Sequence, residues 1–145
     1  MIETDYKGQN WDNPGPKIIK DLLKKARTIA IVGLSSNKSR PAYGVASFLK
    51  QRGYRIIPVN PKETEILEEM AYPDLNTIPD KIDLVDLFRR SKFAHDIVLD
   101  AIKIGIPAVW LQENVISLKA FETGEANGLL MIMNRCIAKE HKRLM

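Results

Sequence analysis

The chain is short of several things, and each shortage removes a class of protein. It has one cysteine, Cys136, in 145 residues, so no internal disulfide framework can hold it together. No apolar run approaches the roughly 18 residues that a membrane span needs. The opening M-I-E-T-D-Y-K-G carries neither the basic nor the apolar region of a signal peptide. With the lone cysteine, this gives the expectation of a cytoplasmic chain with no membrane partner. Aromatic residues are only 7%. The basic excess gathers near the two ends, at Lys17, Lys20, Lys24, Lys25 and Arg27, then Lys139, Lys142 and Arg143. Nucleic-acid binders concentrate charge on one face and interleave aromatics; solvated helix faces account better for this distribution, and no nucleic-acid partner is expected. Chemistry-bearing motifs are missing too: there is no G-x-G-x-x-G, no G-x-x-x-x-G-K-[ST], no G-x-S-x-G and no histidine–cysteine metal spacing.

What is present is enough apolar material, 45% hydrophobic against 28% charged, for one domain with one adequate core. The organising stretch is Thr28 to Tyr43, T-I-A-I-V-G-L-S-S-N-K-S-R-P-A-Y. Thr28–Val32 reads as a short buried strand ended by Gly33. Leu34 to Arg40 is a small polar turn. Pro41 suits a first helical turn, and Ala42, Val45, Ala46 and Leu49 line one helical face. A strand, turn and helix start of this kind point free backbone N–H groups at an anion. An ordinary strand-to-helix connection would look the same.

Before this stretch, residues 1–16 form an irregular arm containing Trp11. Residues 17–26 have a helical stripe of Ile18, Ile19, Leu22 and Leu23, which would cover either an interface in an oligomer or the edge of the sheet. After it come a strand at 54–59, closed by Asn60-Pro61-Lys62, an acidic and weakly patterned stretch at 63–70, and a minor strand at Ala71-Tyr72. A strand at 82–88 is followed by a helix capped by Ser91, with Phe93, Ala94, Ile97, Val98, Ala101 and Ile104 facing inward and Gly105 stopping it. The rest reads as a strand at 107–111, a helix from Ser117 to about Gly128, a strand at 129–133 and a short helix at 137–144. The alternation predicts an α/β fold, a doubly wound, mostly parallel sheet of five or six strands in three layers, over residues 27–145, with residues 1–26 as arm and helix.

Such sheets bind ligands at the carboxyl ends of their strands, where the strand order reverses. The second strand of NAD enzymes ends in an acid that holds the ribose. Here Lys62 stands instead, which suits a ribose bearing an extra phosphate, as in NADP or coenzyme A, although an exposed loop lysine is the commoner fate of the residue.

The segments V-G-L-S-S, G-Y-R-I-I-P-V-N-P, I-D-L-V-D-L-F-R, V-W-L-Q and M-N-R-C, in this order, resemble the small single-domain CoA-binding proteins of bacteria and archaea and, more distantly, the CoA-binding domain of succinyl-CoA synthetase alpha chains. The resemblance runs from about Ala26 to His141. It implies a Rossmann-like domain that binds coenzyme A or an acyl-CoA. The pyrophosphate would face Gly33, Leu34, Ser35 and Ser36 and the helix start as far as Tyr43, with charge from Lys38 and Arg40. Val59, Asn60, Pro61 and Lys62 would border the adenosine and its phosphate, Phe88 and Arg89 the far side of the cleft, and Gln112 the pantetheine end. Two positions depart from the pattern: the family often has glycine two places after the glutamine, here Asn114, and aspartate where Asn134 stands.

No catalytic constellation is visible. His95 and His141 read as surface or packing residues. Asp83 and Asp86, three apart on a strand, would face opposite sides. Cys136 beside Arg135 is either a small buried hydrophobe or a thiol able to form a mixed disulfide with coenzyme A. The expectation is a non-catalytic CoA-binding module; the alternatives are an NADP-using oxidoreductase and the CoA-binding subunit of an acyl-CoA ligase.

Overall fold

The computed structural model describes residues 11–145, so the first ten residues of the expected arm lie outside it. The elements are α1 (Pro16–Lys25), β1 (Thr28–Val32), α2 (Pro41–Gln51), β2 (Arg55–Val59), β3 (Glu65–Ile66), β4 (Glu69–Met70), β5 (Leu84–Leu87), α3 (Ala94–Ile104), β6 (Ala108–Leu111), α4 (Leu118–Ala126), β7 (Leu130–Ile132) and α5 (Ile137–Leu144). Short 3₁₀ turns at Leu75–Thr77 and Ser91–Phe93 precede β5 and α3. Five strands form one sheet in the order β2-β1-β5-β6-β7, and every pairing in it is parallel. The expected Rossmann-like, three-layer α/β architecture is therefore the observed one.

Both faces of the sheet are buried, as parallel sheets require. On one face Ala30, Val32, Val85, Leu87, Val109, Leu111 and Met131 pack with Val98, Ala101, Ala120 and Phe121 of α3 and α4. On the other, Ile29, Ile31, Leu84, Trp110 and Ile132 meet residues of α1, α2 and α5. The sequence is read twice, once per face, by the alternation along each strand. After β2 the chain crosses β1 and continues on its other side, so the reversal of strand order falls between β1 and β5.

Several local expectations are corrected. Ile18 is 52% exposed; α1 is held instead by Ile19 and Leu23, which together contribute on the order of 3–6 kcal/mol of burial before entropy. Ile104, in the last turn of α3, is also exposed, and the buried face of that helix is Ala94, Val98 and Ala101. Ser91 does not cap α3; its hydroxyl accepts from the Ile116 N–H at 2.9 Å and bridges to the next strand's loop. Residues 65–70 form a hairpin rather than a featureless stretch. Its turn residues Leu67 and Glu68 both have positive φ, 54° and 65°, without the Asn-Gly that usually announces such a turn. Tyr72 makes one parallel bridge to Val59 and so covers the open edge of β2. At the opposite edge Asn13 Nδ2 donates to the Met133 carbonyl at 2.8 Å while its Oδ1 accepts from the Met133 N–H at 2.7 Å. Trp11 packs edge-on against Phe121. The described residues of the arm thus lie along this edge of the sheet.

Asp83 and Asp86 have separate fates. Asp83 precedes β5 and accepts from the N–H groups of Arg27 and Thr28, both at 3.0 Å. Asp86, registered between Ile31 and Trp110, is wholly buried, and among the described residues neither of its oxygens has a hydrogen-bond partner. Burial pushes its pKa well above the ordinary value. Below about pH 4 the folded and unfolded chains both hold the proton. As the pH rises, the unfolded chain ionises freely and the fold does not, so stability falls by up to about 1.4 kcal/mol per pH unit until the folded group itself titrates. Asp86→Asn keeps the shape and removes the slope. The variant should match the parent near pH 4 in thermal melts and exceed it increasingly as the pH rises from there until the folded group titrates; a gap independent of pH would contradict this account.

Candidate functional site

Two grooves open at the carboxyl ends of the strands. The first, about 580 Å³, lies over the ends of β1 and β2 and reaches α3; Arg40, Val59, Asn60, Pro61, Lys62 and Glu63 are among its walls. The second, about 480 Å³, runs between the start of α2 and the ends of β5 and β6, past Ala42, Val45, Phe88, Val115 and Cys136. Gly33, Arg40 and Arg89 line both, so the grooves meet over the reversal of strand order. Each is of a size typical for small-molecule sites.

The meeting point depends on Gly33. It takes φ +91°, and a Cβ built there would lie 2.5 Å from the Phe88 carbonyl oxygen and 3.0 Å from Arg89 Cγ. Only glycine satisfies both conditions. Gly33 N–H donates to the Val59 carbonyl at 3.0 Å and Phe88 N–H to the Val32 carbonyl at 2.8 Å, which fastens the three strand ends around it. Asn60 links the first two loops: its Nδ2 donates to the Leu34 carbonyl at 3.0 Å and its Oδ1 accepts from the Lys62 N–H at 2.9 Å.

The loop after Gly33 is not the open row of amides that the sequence leads one to expect. Asn37 N–H is taken by Ser35 Oγ at 3.0 Å, Ser39 N–H by Asn37 Oδ1 at 3.0 Å, and Arg40 N–H by the Asn37 carbonyl at 3.0 Å. Pro41 opens α2 with no N–H to offer. Ser36 N–H and Oγ–H both reach Glu63 Oε2 at 2.9 Å, and this holds the Glu63 carboxyl below its usual pKa. Attraction for an anion therefore comes from side-chain cations. Among the described residues Lys38, Arg40, Lys62, Arg89 and Arg90 form no ion pair. The Arg89 guanidinium lies 3.7 Å from the centre of the Phe93 ring, a contact that orients it at the junction. The far wall of the first groove is of opposite sign, with Asp74, Asp96 and Asp100.

Of the residues singled out from sequence, Gly33, Ser35, Arg40, Val59, Asn60, Pro61, Lys62, Phe88, Arg89 and Gln112 line the grooves. Four do not. Leu34 is fully buried in the core under α2, and Tyr43 packs against the same core. Ser36 is turned to Glu63, and Lys38 lies on the exposed crest of the loop. Gln112 is 5% exposed, and its Oε1 accepts from the Ile137 N–H at 3.1 Å, so it caps α5 while bordering the groove. Cys136 is not fully buried: it is half-exposed at the N-terminus of α5 and faces the second groove. His141 is buried against Phe48 and Tyr54 with its pKa lowered by burial and by Arg52, and His95 meets Thr123 Oγ1 at 3.3 Å; both are packing residues. Glu63, Phe93 and the acidic wall were missed. They lie in loops or on α3, where no periodicity marks a residue as facing a groove.

Comparison with known proteins supplies the context. A family model described as a CoA binding domain matches residues 27–142. The uncharacterized protein YneT of Bacillus subtilis is 33% identical over 129 residues, 89% of this chain and 96% of its own length. The alpha subunit of acetate–CoA ligase (ADP-forming) II of Pyrococcus furiosus is 31% identical over 107 residues, which is 72% of this chain and 22% of that subunit; this chain thus spans about a fifth of the ligase subunit. The solved structure of a hypothetical protein from Pyrococcus horikoshii OT3 superposes with a TM-score of 0.89 at 38% identity, covering 99% of each chain.

Two glycine substitutions separate site geometry from generic effects. Gly33→Ala should destabilise by about 1–3 kcal/mol in urea titration, from the left-handed backbone and the clash with the Phe88 carbonyl. Gly44→Ala, inside α2 where an added Cβ meets nothing within 4 Å, should stabilise by up to about 1 kcal/mol. Equal effects at the two positions would refute the close approach at Gly33.

Proposed function

The chain belongs to the CoA binding domain family, and from that membership and the shape of its site we propose that it binds coenzyme A or an acyl-CoA across both grooves, as a carrier, sensor or subunit, with no chemistry of its own. The observation that carries the reading is the junction. Two grooves meet where Arg40 and Arg89 line both, the first bordered also by Lys62 and the second by Ala42, Val45 and Val115. Coenzyme A has the matching order of parts: a phosphorylated adenosine, a diphosphate, and a thin pantetheine tail.

In this reading the diphosphate lies at the junction, against Arg40 and Arg89, where planar guanidinium forks suit phosphate oxygens. The adenosine occupies the first groove, with its ribose phosphate near Lys62 and a free hydroxyl offered to the acidic wall. Pantetheine runs along Ala42, Val45 and Val115 towards Cys136. The protein's contribution is to hold and orient the ligand, and among the described residues no group of His, Cys, Asp and Glu is arranged to hold a metal.

A second reading has one specific observation behind it. Likeness to the ligase alpha subunit favours a CoA-binding part that acts with a separate catalytic chain. NADP would also satisfy Lys62, with its nicotinamide in the second groove.

Calorimetry with coenzyme A, acetyl-CoA, dephospho-CoA and NADP tests the proposal. Coenzyme A should bind and NADP should bind at least tenfold more weakly. Lys62→Glu should weaken coenzyme A by tenfold or more and dephospho-CoA much less; equal losses would remove Lys62 from the ribose phosphate, and tight NADP binding without coenzyme A would overturn the assignment.

A further inference from the structure

We propose that Glu63 is an internal competitor for the ligand's phosphate, holding with its carboxylate the Ser36 N–H and hydroxyl that a phosphate oxygen would otherwise take. The inference rests on the coenzyme A reading of the grooves and adds to it a residue that sets affinity.

The geometry sets this contact apart from the rest of the loop. Asn37, Ser39 and Arg40 have their N–H groups closed by partners from the same short turn, Ser35 and Asn37. Those bonds belong to the shape of the turn and cannot be given up without unfolding it. Ser36 is closed from outside, by a side chain of the loop after β2. One oxygen, Glu63 Oε2, accepts from both the Ser36 N–H and the Ser36 hydroxyl at 2.9 Å. A backbone N–H and a serine hydroxyl converging on a single anionic oxygen is the arrangement that loops offer to phosphate. Glu63 also lines the first groove beside Lys62. Its carboxylate swings on the three side-chain torsions of glutamate, so it can leave without moving the backbone.

The consequence is a trade between two anions at one donor pair. While Glu63 is seated, the two Ser36 donors are occupied. When a phosphorylated ligand arrives, the carboxylate swings towards solvent and the ligand inherits the donors. Binding is then weaker than the contacts alone would give, by the free energy of the contact displaced. The effect must depend on the ligand carrying phosphate, because the unphosphorylated tail has nothing to exchange with Ser36.

The test is calorimetric titration of the parent, Glu63→Gln and Glu63→Ala with coenzyme A and with pantetheine, together with the Ser36 amide resonance of the parent during the coenzyme A titration. Both variants should bind coenzyme A about tenfold more tightly than the parent and pantetheine no differently, and the Ser36 amide should shift on binding. Weaker binding by the variants would make Glu63 a brace for the loop and overturn the competition, as would unchanged affinity or a still Ser36 amide. If the parent and both variants alike ignored coenzyme A, the proposed function would fail first, and the competitor with it.

Discussion

The carbonyl oxygen of Phe88 occupies the space where a side chain at position 33 would be. That approach joins the ends of β1 and β5, the two strands between which the sheet changes direction. Everything at the site follows from it. With the strand ends in contact, the loops that leave them must diverge, one towards α2 and the other towards α3. The divergence is the cleft. Arg89 follows Phe88 directly, so the same contact that closes the floor sets a cation at the junction, where the Phe93 ring steadies it.

The electrostatics of the cleft come from side chains more than from backbone. A helix start behind a glycine turn usually earns its anion affinity from unpaired amides and the helix dipole. Here two of those amides are closed by serine and asparagine side chains, one by the Asn37 carbonyl and one by Glu63, and the first residue of the helix is proline. The cations are exposed, and their attraction for an anion is screened by salt. An anion held by Arg40, Arg89 and Lys62 would therefore be more sensitive to ionic strength than one cradled by backbone. The acidic wall of α3 also divides the first groove by sign, with Asp96 and Asp100 facing the side that carries Arg40 and Lys62.

The architecture was legible because it is written in alternation. Thr28–Val32 reads as a buried strand from its β-branched residues alone, and Gly53 and Gly105 mark the ends of their helices by taking the left-handed conformation. Residues at strand ends could be placed near the site on topology alone, which is why Asn60, Lys62, Phe88 and Arg89 could be named. Orientation was not legible. Leu34 and Ser35 are neighbours in a loop, yet one points into the core and the other lines the groove. The hairpin at 65–70 was hidden because Leu67 and Glu68 adopt backbone conformations that their side chains disfavour, and Glu63 was hidden because its partner lies 27 residues away. Contacts between loops leave no periodic trace.

The two departures from the family pattern are physically one. Asn114 stands where glycine is common and takes φ +68°, a conformation glycine reaches freely and asparagine tolerates better than most residues. Asn134 stands where aspartate is common and takes φ +59°. Its Oδ1 accepts from the Asn114 N–H at 2.8 Å, the bond an aspartate would make there, with no charge. The loops after β6 and β7 are thus tied together by a neutral pair, and Trp110 adds a second tie by donating to the Arg135 carbonyl at 2.8 Å. Removing a negative charge beside Arg135 and Cys136 leaves that end of the second groove more positive than the family pattern would make it.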